Sequence, residues 1–166
     1  MFYRLHQFLQ AISPHLDSSE ISWALDHLPP EASSLFLRQS KSEQRHALDV
    51  AQSLMSEKNA LTVSNFQNLL VAALLHDCGK SMVSIHLWHR VFIVLMQKMP
   101  HSLWSRLERS ASIFAAPLKT ASQHALWGAN LAKRAGLDPE ICLLIHDHHS
   151  PNTELGRLLK RADNAH

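Results

Sequence analysis

Apolar residues recur along most of this chain at the three- and four-residue spacing of amphipathic helices. Prolines, glycines and capping residues divide the pattern into separate helical segments. No segment alternates apolar and polar residues between hairpin signals, so the pattern predicts no strand. The sequence therefore predicts a single all-α domain of about nine or ten helices. The predicted helices cover residues 3–12, 17–28, a short segment around 35–37, 41–57, 64–77, 84–99, 102–114, 121–135, 139–149 and 153–164.

Capping residues mark where several of these helices begin. Acidic residues three positions after Asp17 and Ser40 complete capping boxes, which open the second and fourth predicted helices. Asp138, followed by a proline, is a strong N-cap for the ninth. Ser64 is expected to cap the long helix that ends at an adjacent His-Asp pair. Gly79 comes just after that pair and suits the left-handed turn that commonly ends a helix.

Composition restricts the class of protein to which this chain can belong. Its 166 residues match the size of one domain, and 46% are hydrophobic and 18% charged. The formal net charge is only +2, and lysine and arginine are scattered rather than interleaved with aromatics, which argues against nucleic-acid binding. The longest apolar stretch, residues 85–96, contains two histidines and an arginine. It is much shorter than the about 20 residues that a membrane span needs.

Cysteine usage and the first residues of the chain indicate a cellular location. Cys78 and Cys142 lie in apolar helical segments without CxxC spacing, as expected in a reducing compartment. The N-terminal residues lack the charged start, the apolar stretch and the small-residue cleavage site of a signal peptide. We therefore expect a cytoplasmic protein that does not associate with membranes.

Histidine is the unusual residue of this chain, with 13 occurrences, several of them inside predicted helices. Burying a polar side chain costs free energy unless a partner compensates it, and a metal ion is one such partner. Helices packed around one core can bring ligands to a common point. Because one ion uses about four to six ligands and an aspartate can bridge two ions, the candidate set fits a two-metal centre. The candidate ligands are His46, His76, Asp77, His124, His148 and Asp163.

The imidazole-rich donor set favours iron, manganese, cobalt, nickel or zinc over magnesium and calcium, which prefer oxygen ligands. Alternatives remain open for several of the ligands. The pair His76-Asp77 could cap a neighbouring helix, and His124 could simply hydrogen-bond a backbone carbonyl. His146 or His149 could take the place of His148 after a small rotation at the helix end.

Three cationic side chains are candidates for contacts with an anionic substrate. Lys80 follows Asp77 by three residues, a spacing that places a positive charge next to a predicted metal ligand. The alternative is a solvated lysine that is favoured by the dipole at the end of a helix. Arg90 and Arg157 are candidates for binding a second phosphate.

The order of these motifs resembles that of the HD superfamily of metal-dependent phosphohydrolases, whose pattern is a histidine, a His-Asp pair and a distant aspartate. His46, His76-Asp77 and Asp163 stand in that order here. The pair and the three residues after it, Cys-Gly-Lys, resemble the His-Asp-x-Gly-Lys version of HD-GYP-like and related subgroups. Those subgroups add further histidines where His124 and His148-His149 stand. Leu-Lys-Arg-Ala-Asp resembles the Leu-x-x-Ala-Asp ending of the family. The resemblance runs from about residue 41 to residue 164.

This resemblance implies an all-α fold, one or two divalent transition metal ions, and hydrolysis of phosphomonoesters or phosphodiesters, often in nucleotides. The arrangement also resembles small bacterial HD proteins that hydrolyse diadenosine tetraphosphate. The Gly-Tyr-Pro signature of cyclic-di-GMP phosphodiesterases is absent after His148-His149, which argues against that substrate. Residues 41–166 would be the metal-binding catalytic core and residues 1–40 a helical extension packed on it. Helix 3–12 would then cover either this core or a second subunit, so a homodimer is an open alternative.

A mechanism follows from the chemistry of such a centre. Asp77 and Lys80 are the expected catalytic residues. Asp77 would bridge two ions and position a metal-activated hydroxide for in-line attack on phosphorus, while Lys80 would neutralise the phosphate oxygens. The expected partner is a small phosphorylated substrate, in the first place a nucleotide. The alternative is a regulatory module that binds a nucleotide or a protein without turnover. Besides Asp77, the expected ligands are His46, His76 and Asp163 for one ion and His124 and His148 for the other.

Overall fold

Eight α-helices and two short 3₁₀ helices make up the part of the chain that the computed structural model describes, residues 15–83, 89, 92–93, 96, 99–110 and 112–166. No strand occurs within these residues, so the predicted all-α fold is confirmed. The predicted helix 3–12 and most of the predicted helix 84–99 lie outside them. The α-helices are α1 Ser18–His27, α2 Pro30–Leu37, α3 Lys41–Ser53, α4 Val63–Leu75, α5 His101–Glu108, α6 Ala115–Arg134, α7 Pro139–Asp147 and α8 Glu154–Ala165, and the 3₁₀ helices are Leu54–Asn59 and Cys78–Met82.

Capping interactions begin several helices where the sequence predicts them. Both capping boxes, at residues 17–20 and 40–43, form with their reciprocal hydrogen bonds. Asp138 caps α7, with Pro139 in the first turn, and Thr153 caps α8. Each of these side chains satisfies an N–H group that the first turn of a helix leaves without a partner. These helix starts therefore follow from the local sequence.

Other boundaries differ from the prediction for local reasons. The prediction that Ser64 caps the long helix is wrong, because Thr62 accepts the hydrogen bond from the Asn65 backbone N–H (3.2 Å) and α4 begins just after it. α3 ends four residues earlier than predicted and continues as the first 3₁₀ helix, and α5 ends six residues earlier. α6 starts at Ala115, six residues earlier than predicted. It can do so because Pro117 lies in its first turn, where no N–H group is needed.

Gly79 does not adopt the left-handed conformation predicted for it. Among the described residues Gly136 alone has a positive φ, of 77°, and it follows the end of α6 as predicted. Gly79 instead permits a close approach of two backbones. A Cβ atom placed on it would lie 2.0 Å from the His124 carbonyl oxygen and 2.6 Å from the Gly128 nitrogen. Only glycine therefore fits where the 3₁₀ helix Cys78–Met82 packs against α6.

The core is organised around α4, whose residues 69–75 are all buried. A helix that is apolar on every side must be covered on every side, and α1, α2, α3, α7 and α8 all pack against it. Leu48 of α3, Ile145 of α7 and Leu159 of α8 are completely buried in the same cluster. Phe36 of α2 belongs to this cluster too. The division of the chain at residue 40 stays a prediction. No helix within the described residues is long and apolar enough to cross a membrane.

Candidate metal centre

The buried helix α4 ends at His76 and Asp77, whose side chains are only 1% and 5% exposed. Lys80 Nζ lies 2.5 Å from Asp77 Oδ2, and His124 Nε2 lies 3.4 Å from Asp77 Oδ1. Burial alone would raise the pKa of Asp77. The positive charge of Lys80, assisted by His76 and His124, outweighs burial and holds the pKa of this carboxyl well below its usual range. Asp77 is therefore a buried anion.

A second carboxylate reaches the same place from α8. Asp163 Oδ1 lies 2.9 Å from His46 Nε2, on α3, and 3.5 Å from His76 Nε2. Burial would raise the pKa of Asp163, but the hydrogen bond with His46 and the nearby ring of His76 lower it below its ordinary value. Burial would lower the pKa of His76, yet Asp77 and Asp163 raise it. These two carboxylates favour a cation at His76 Nε2, whether a proton or a metal ion.

Three histidines form a second group beside the first. His124 of α6 and His148 and His149, just after α7, each offer one ring nitrogen within 4.8 Å of the others. His124 Nε2 and His149 Nε2 are 3.0 Å apart. Burial lowers the pKa of His124 to about 4 and that of His148 to about 3, so both rings are neutral near pH 7. The sequence offers His149 as a substitute for His148, whereas the structure places both rings beside His124.

The tautomers of three buried rings are fixed by backbone carbonyls. Nδ1 of His76 donates to the Ala73 carbonyl (2.9 Å), and Nδ1 of His148 donates to the Ile145 carbonyl (2.7 Å). His124 Nδ1 makes the same kind of contact one turn back along α6, at 3.1 Å. Because a carbonyl only accepts, Nδ1 carries the hydrogen and Nε2 faces the other rings. His124 therefore does hydrogen-bond a carbonyl, but through Nδ1 alone. Its Nε2 atom faces Asp77 and His149, inside the candidate centre.

Two of these Nε2 atoms support a metal site directly. The Nε2 atoms of His76 and His148 are buried and have no hydrogen-bond partner among the described residues. Buried polar atoms nearly always have a partner, so these two nitrogens need one. Metal-binding histidines typically donate their other ring N–H to a carbonyl or carboxylate, as both rings do here. The donor set fits divalent transition metal ions.

The six predicted ligands lie together in two adjoining groups. His46, His76 and Asp77 offer atoms within 4.8 Å of one another, and Asp163 contacts this group. The rings of His76 and His148 meet at 5.2 Å between centroids, which joins this group to the histidine group. Asp77 contacts both groups. It is therefore the residue best placed to be shared between two ions.

Some positions that shape the site have no signal in the sequence motifs. Gly128 faces Gly79 across the contact between α6 and the 3₁₀ helix, and it stands one turn after His124. A glycine inside an amphipathic helix, four residues from a candidate ligand, was the available signal. Gln39 is buried and donates from Nε2 to the Leu74 carbonyl (2.9 Å), two residues before His76. Nothing in the local sequence distinguishes this glutamine. Arg90 lies outside the described residues.

A comparison with known protein families matches most of this chain to one of them. The family model of the HD domain matches residues 44–166, well over half of the chain. No curated protein and no solved structure matches the chain significantly. The matched range includes both groups of candidate ligands and begins just before His46.

Proposed function

Since the chain belongs to the HD superfamily of metal-dependent phosphohydrolases, we propose that it hydrolyses a phosphate ester or anhydride of a nucleotide or other small phosphorylated molecule. The observation that carries the proposal is the pair of neighbouring rings of His76 and His148, whose buried Nε2 atoms have no hydrogen-bond partner among the described residues, close to the ionised Asp77. Such a set fits metal ligation better than any structural hydrogen-bonding role. Two ions are proposed, because the ligands form two groups.

The residues that would hold the ions divide between the groups. When bound, divalent ions supply an activated water nucleophile and neutralise negative charge on phosphate oxygens. Asp77 would be shared by both ions. His46, His76 and Asp163 would complete one set, and His124 and His148, with His149 as a third donor, would complete the other.

Lys80 has a defined place in this proposal. Its ammonium group donates to Asp77, and its side chain is about one third exposed. Lys80 therefore links the buried carboxylate to the surface of the protein. A lysine has three N–H donors, and the two not used on Asp77 can reach a phosphate oxygen. A donor already oriented by a buried carboxylate stabilises charge that develops in the transition state. Lys80 is therefore proposed to orient Asp77 and to contact the phosphate.

Metal content and hydrolysis test the proposal together. Protein purified without chelators or an immobilised-metal column is expected to contain close to two transition-metal ions per chain. It is expected to hydrolyse p-nitrophenyl phosphate or a nucleotide when manganese is added. Asp77→Asn removes the shared charge and should lose most of the metal and at least 1,000-fold in turnover, about 4 kcal/mol of barrier.

Asp26→Asn is the matched control, because Asp26 is an exposed carboxylate on α1. Unchanged metal content in Asp77→Asn would contradict the assignment of that residue. Metal bound at two ions per chain without turnover of any ester would instead favour a regulatory module that uses the same scaffold.

A further inference from the structure

A positively charged groove lies along α8 and the segment 150–152 before it. Its volume is about 700 Å³. Arg157, Lys160 and Arg161 line it, and Glu154 is the one acidic residue in its described lining. This volume falls within the range of roughly 300–1,000 Å³ typical of small-molecule sites.

The cations of the groove lie on one face of α8. Positions 157, 160, 161 and 164 follow helical spacing, so their side chains form a row about 10 Å long. Arg157 Nη1 donates to the Asn152 carbonyl (3.2 Å), which holds this guanidinium against the loop at one side of the groove. Over the described residues, no carboxylate lies within ion-pairing distance of Arg157, Lys160 or Arg161. Neighbouring like charges without a counter-ion favour the binding of an anion.

Two residues of the groove lining are neighbours, along the chain, of candidate metal ligands. Ser150, in its lining, directly follows His149, and Asn164, at its other edge, directly follows Asp163. Consecutive Cα atoms are 3.8 Å apart, so two separate elements of the centre continue into the groove lining. Lys160 also stands one helical turn before Asp163. The lining of the groove therefore begins one residue away from two separate elements of the centre.

We propose that this groove binds the phosphate groups of the substrate that are not cleaved. The inference rests on the proposed function, and it narrows the substrate to compounds that carry two or more phosphoryl groups, such as nucleoside polyphosphates. Arginine forks and a lysine ammonium are the side chains that proteins use for phosphate oxygens. The net charge of +2 for the whole chain shows that the positive charge of the groove is local.

Binding of inorganic tripolyphosphate tests the groove independently of catalysis. Isothermal titration calorimetry on chelator-treated full-length protein compares native protein with Arg157→Ala/Arg161→Ala. The dissociation constant is expected to rise at least tenfold. Lys133→Ala/Arg134→Ala, which removes two exposed cations at the far end of α6, should bind as native protein does.

A charge-preserving variant separates charge from structure. Arg157→Lys/Arg161→Lys should bind tripolyphosphate within threefold of native protein. Any of three results would overturn the proposal that the groove binds phosphate. The first is that native protein binds no tripolyphosphate at millimolar concentration. The second is that Arg157→Ala/Arg161→Ala binds it as native protein does, and the third is that Lys133→Ala/Arg134→Ala loses as much affinity for it.

Kinetics distinguish a failed groove from a failed function. With manganese, the ratio of kcat/KM for ATP to that for p-nitrophenyl phosphate should fall at least tenfold in Arg157→Ala/Arg161→Ala. An unchanged ratio in an active enzyme would overturn the groove and leave the phosphohydrolase proposal standing. If the protein binds tripolyphosphate through the groove but hydrolyses no ester or anhydride, the phosphohydrolase proposal is overturned and the groove remains an anion-binding site.

Discussion

The candidate centre has two halves that differ in charge. The acidic half consists of His46, His76, Asp77 and Asp163, and two carboxylates raise the pKa of its buried histidine. The histidine half consists of His124, His148 and His149, and burial lowers the pKa of all three rings. The acidic half therefore attracts a cation before any metal arrives. The histidine half offers neutral ligands and shares only Asp77.

This difference in charge predicts a difference in affinity. Two carboxylates in a site of low dielectric stabilise a divalent ion far more than neutral imidazoles alone. The acidic half should hold its ion through dialysis, and the histidine half should lose its ion first. The metal affinities of the two halves are coupled, because the negative charge of Asp77 stabilises an ion in either half.

The strongest test substitutes one ligand in each half. Asp163→Asn should remove the ion of the acidic half and lower turnover at least 100-fold, about 3 kcal/mol of barrier. His148→Gln should remove only the ion of the histidine half, because both carboxylates remain. Elemental analysis after chelator dialysis, with phosphatase assays on the same samples, measures both. Loss of both ions from His148→Gln and neither from Asp163→Asn would reverse the assignment.

Separating the halves is the next test. Gly79→Ala places a methyl group on the His124 carbonyl oxygen, so the 3₁₀ helix must move away from α6 and carry Asp77 away from His124. We expect a loss of roughly 3 kcal/mol in the free energy of unfolding, since overpacking typically costs 1–3 kcal/mol or more.

Gly136→Ala provides the control for this substitution. Its backbone is in the left-handed region but no atom lies within 4 Å of an added Cβ, so only backbone strain of about 1 kcal/mol is expected. Urea unfolding of the three proteins measures both changes. Equal midpoints for Gly79→Ala and native protein would show that the backbones can separate without loss.

The two halves should also respond oppositely to pH in metal-free protein. His124 and His148 have a lowered pKa, so the folded chain binds fewer protons than the unfolded chain and stability falls as pH drops below about 6.5. The raised pKa of His76 has the opposite sign: its contribution is complete below about pH 6.5 and is lost as pH rises through the folded value.

Urea unfolding between pH 4.5 and pH 8.5 checks both limbs. In a plot of the free energy of unfolding against pH, His148→Gln should reduce the fall on the acid side by roughly 1–3 kcal/mol over this range. His76→Gln should reduce the fall on the alkaline side. An acid limb that is unchanged in His148→Gln would show that other groups control it.

The smallest expected effect comes from a glutamine that supports only the acidic half. Gln39→Ala leaves the Leu74 carbonyl without its donor at the end of α4. We expect the free energy of unfolding to fall by about 1 kcal/mol, the value of one hydrogen bond. Only the bond from Nε2 is lost, because the Oε1 atom of Gln39 has no partner among the described residues. Gln67→Ala is matched, because Gln67 donates to the His27 carbonyl from an exposed position and should cost less than about 0.5 kcal/mol. Equal losses of unfolding free energy in Gln39→Ala and Gln67→Ala would show that Gln39 does not support the acidic half.

The sequence predicts the helices well because their signals are local. The capping boxes and the periodicity of α3, α6 and α8 need only neighbouring residues to be interpreted. Thr62 and Ser64 are both plausible caps two residues apart, and the choice between them depends on the backbone that leads into α4. The ends of α3 and α5 depend on packing rather than on composition, so the periodicity alone predicts helices that are too long.

The candidate site divides in the same way. Six ligand candidates could be named because most of them are polar residues beside an apolar stripe and because their order resembles that of the HD superfamily. The sequence could not show that His148 and His149 both lie beside His124, because a small rotation at the end of α7 decides which ring faces His124. The role of Gly79 could not be predicted either, because it depends on α6, which begins more than 30 residues later.

The contact between His46 and Asp163 joins positions separated by 117 residues. Closing so long a loop is entropically unfavourable until many other contacts exist, so this pair forms late in folding. During synthesis α4 can collapse with α1–α3, but the acidic half stays incomplete until α8 has emerged from the ribosome. Metal uptake by that half would then mark the finished fold, and a bound ion would stabilise the native state by mass action against any partly folded chain.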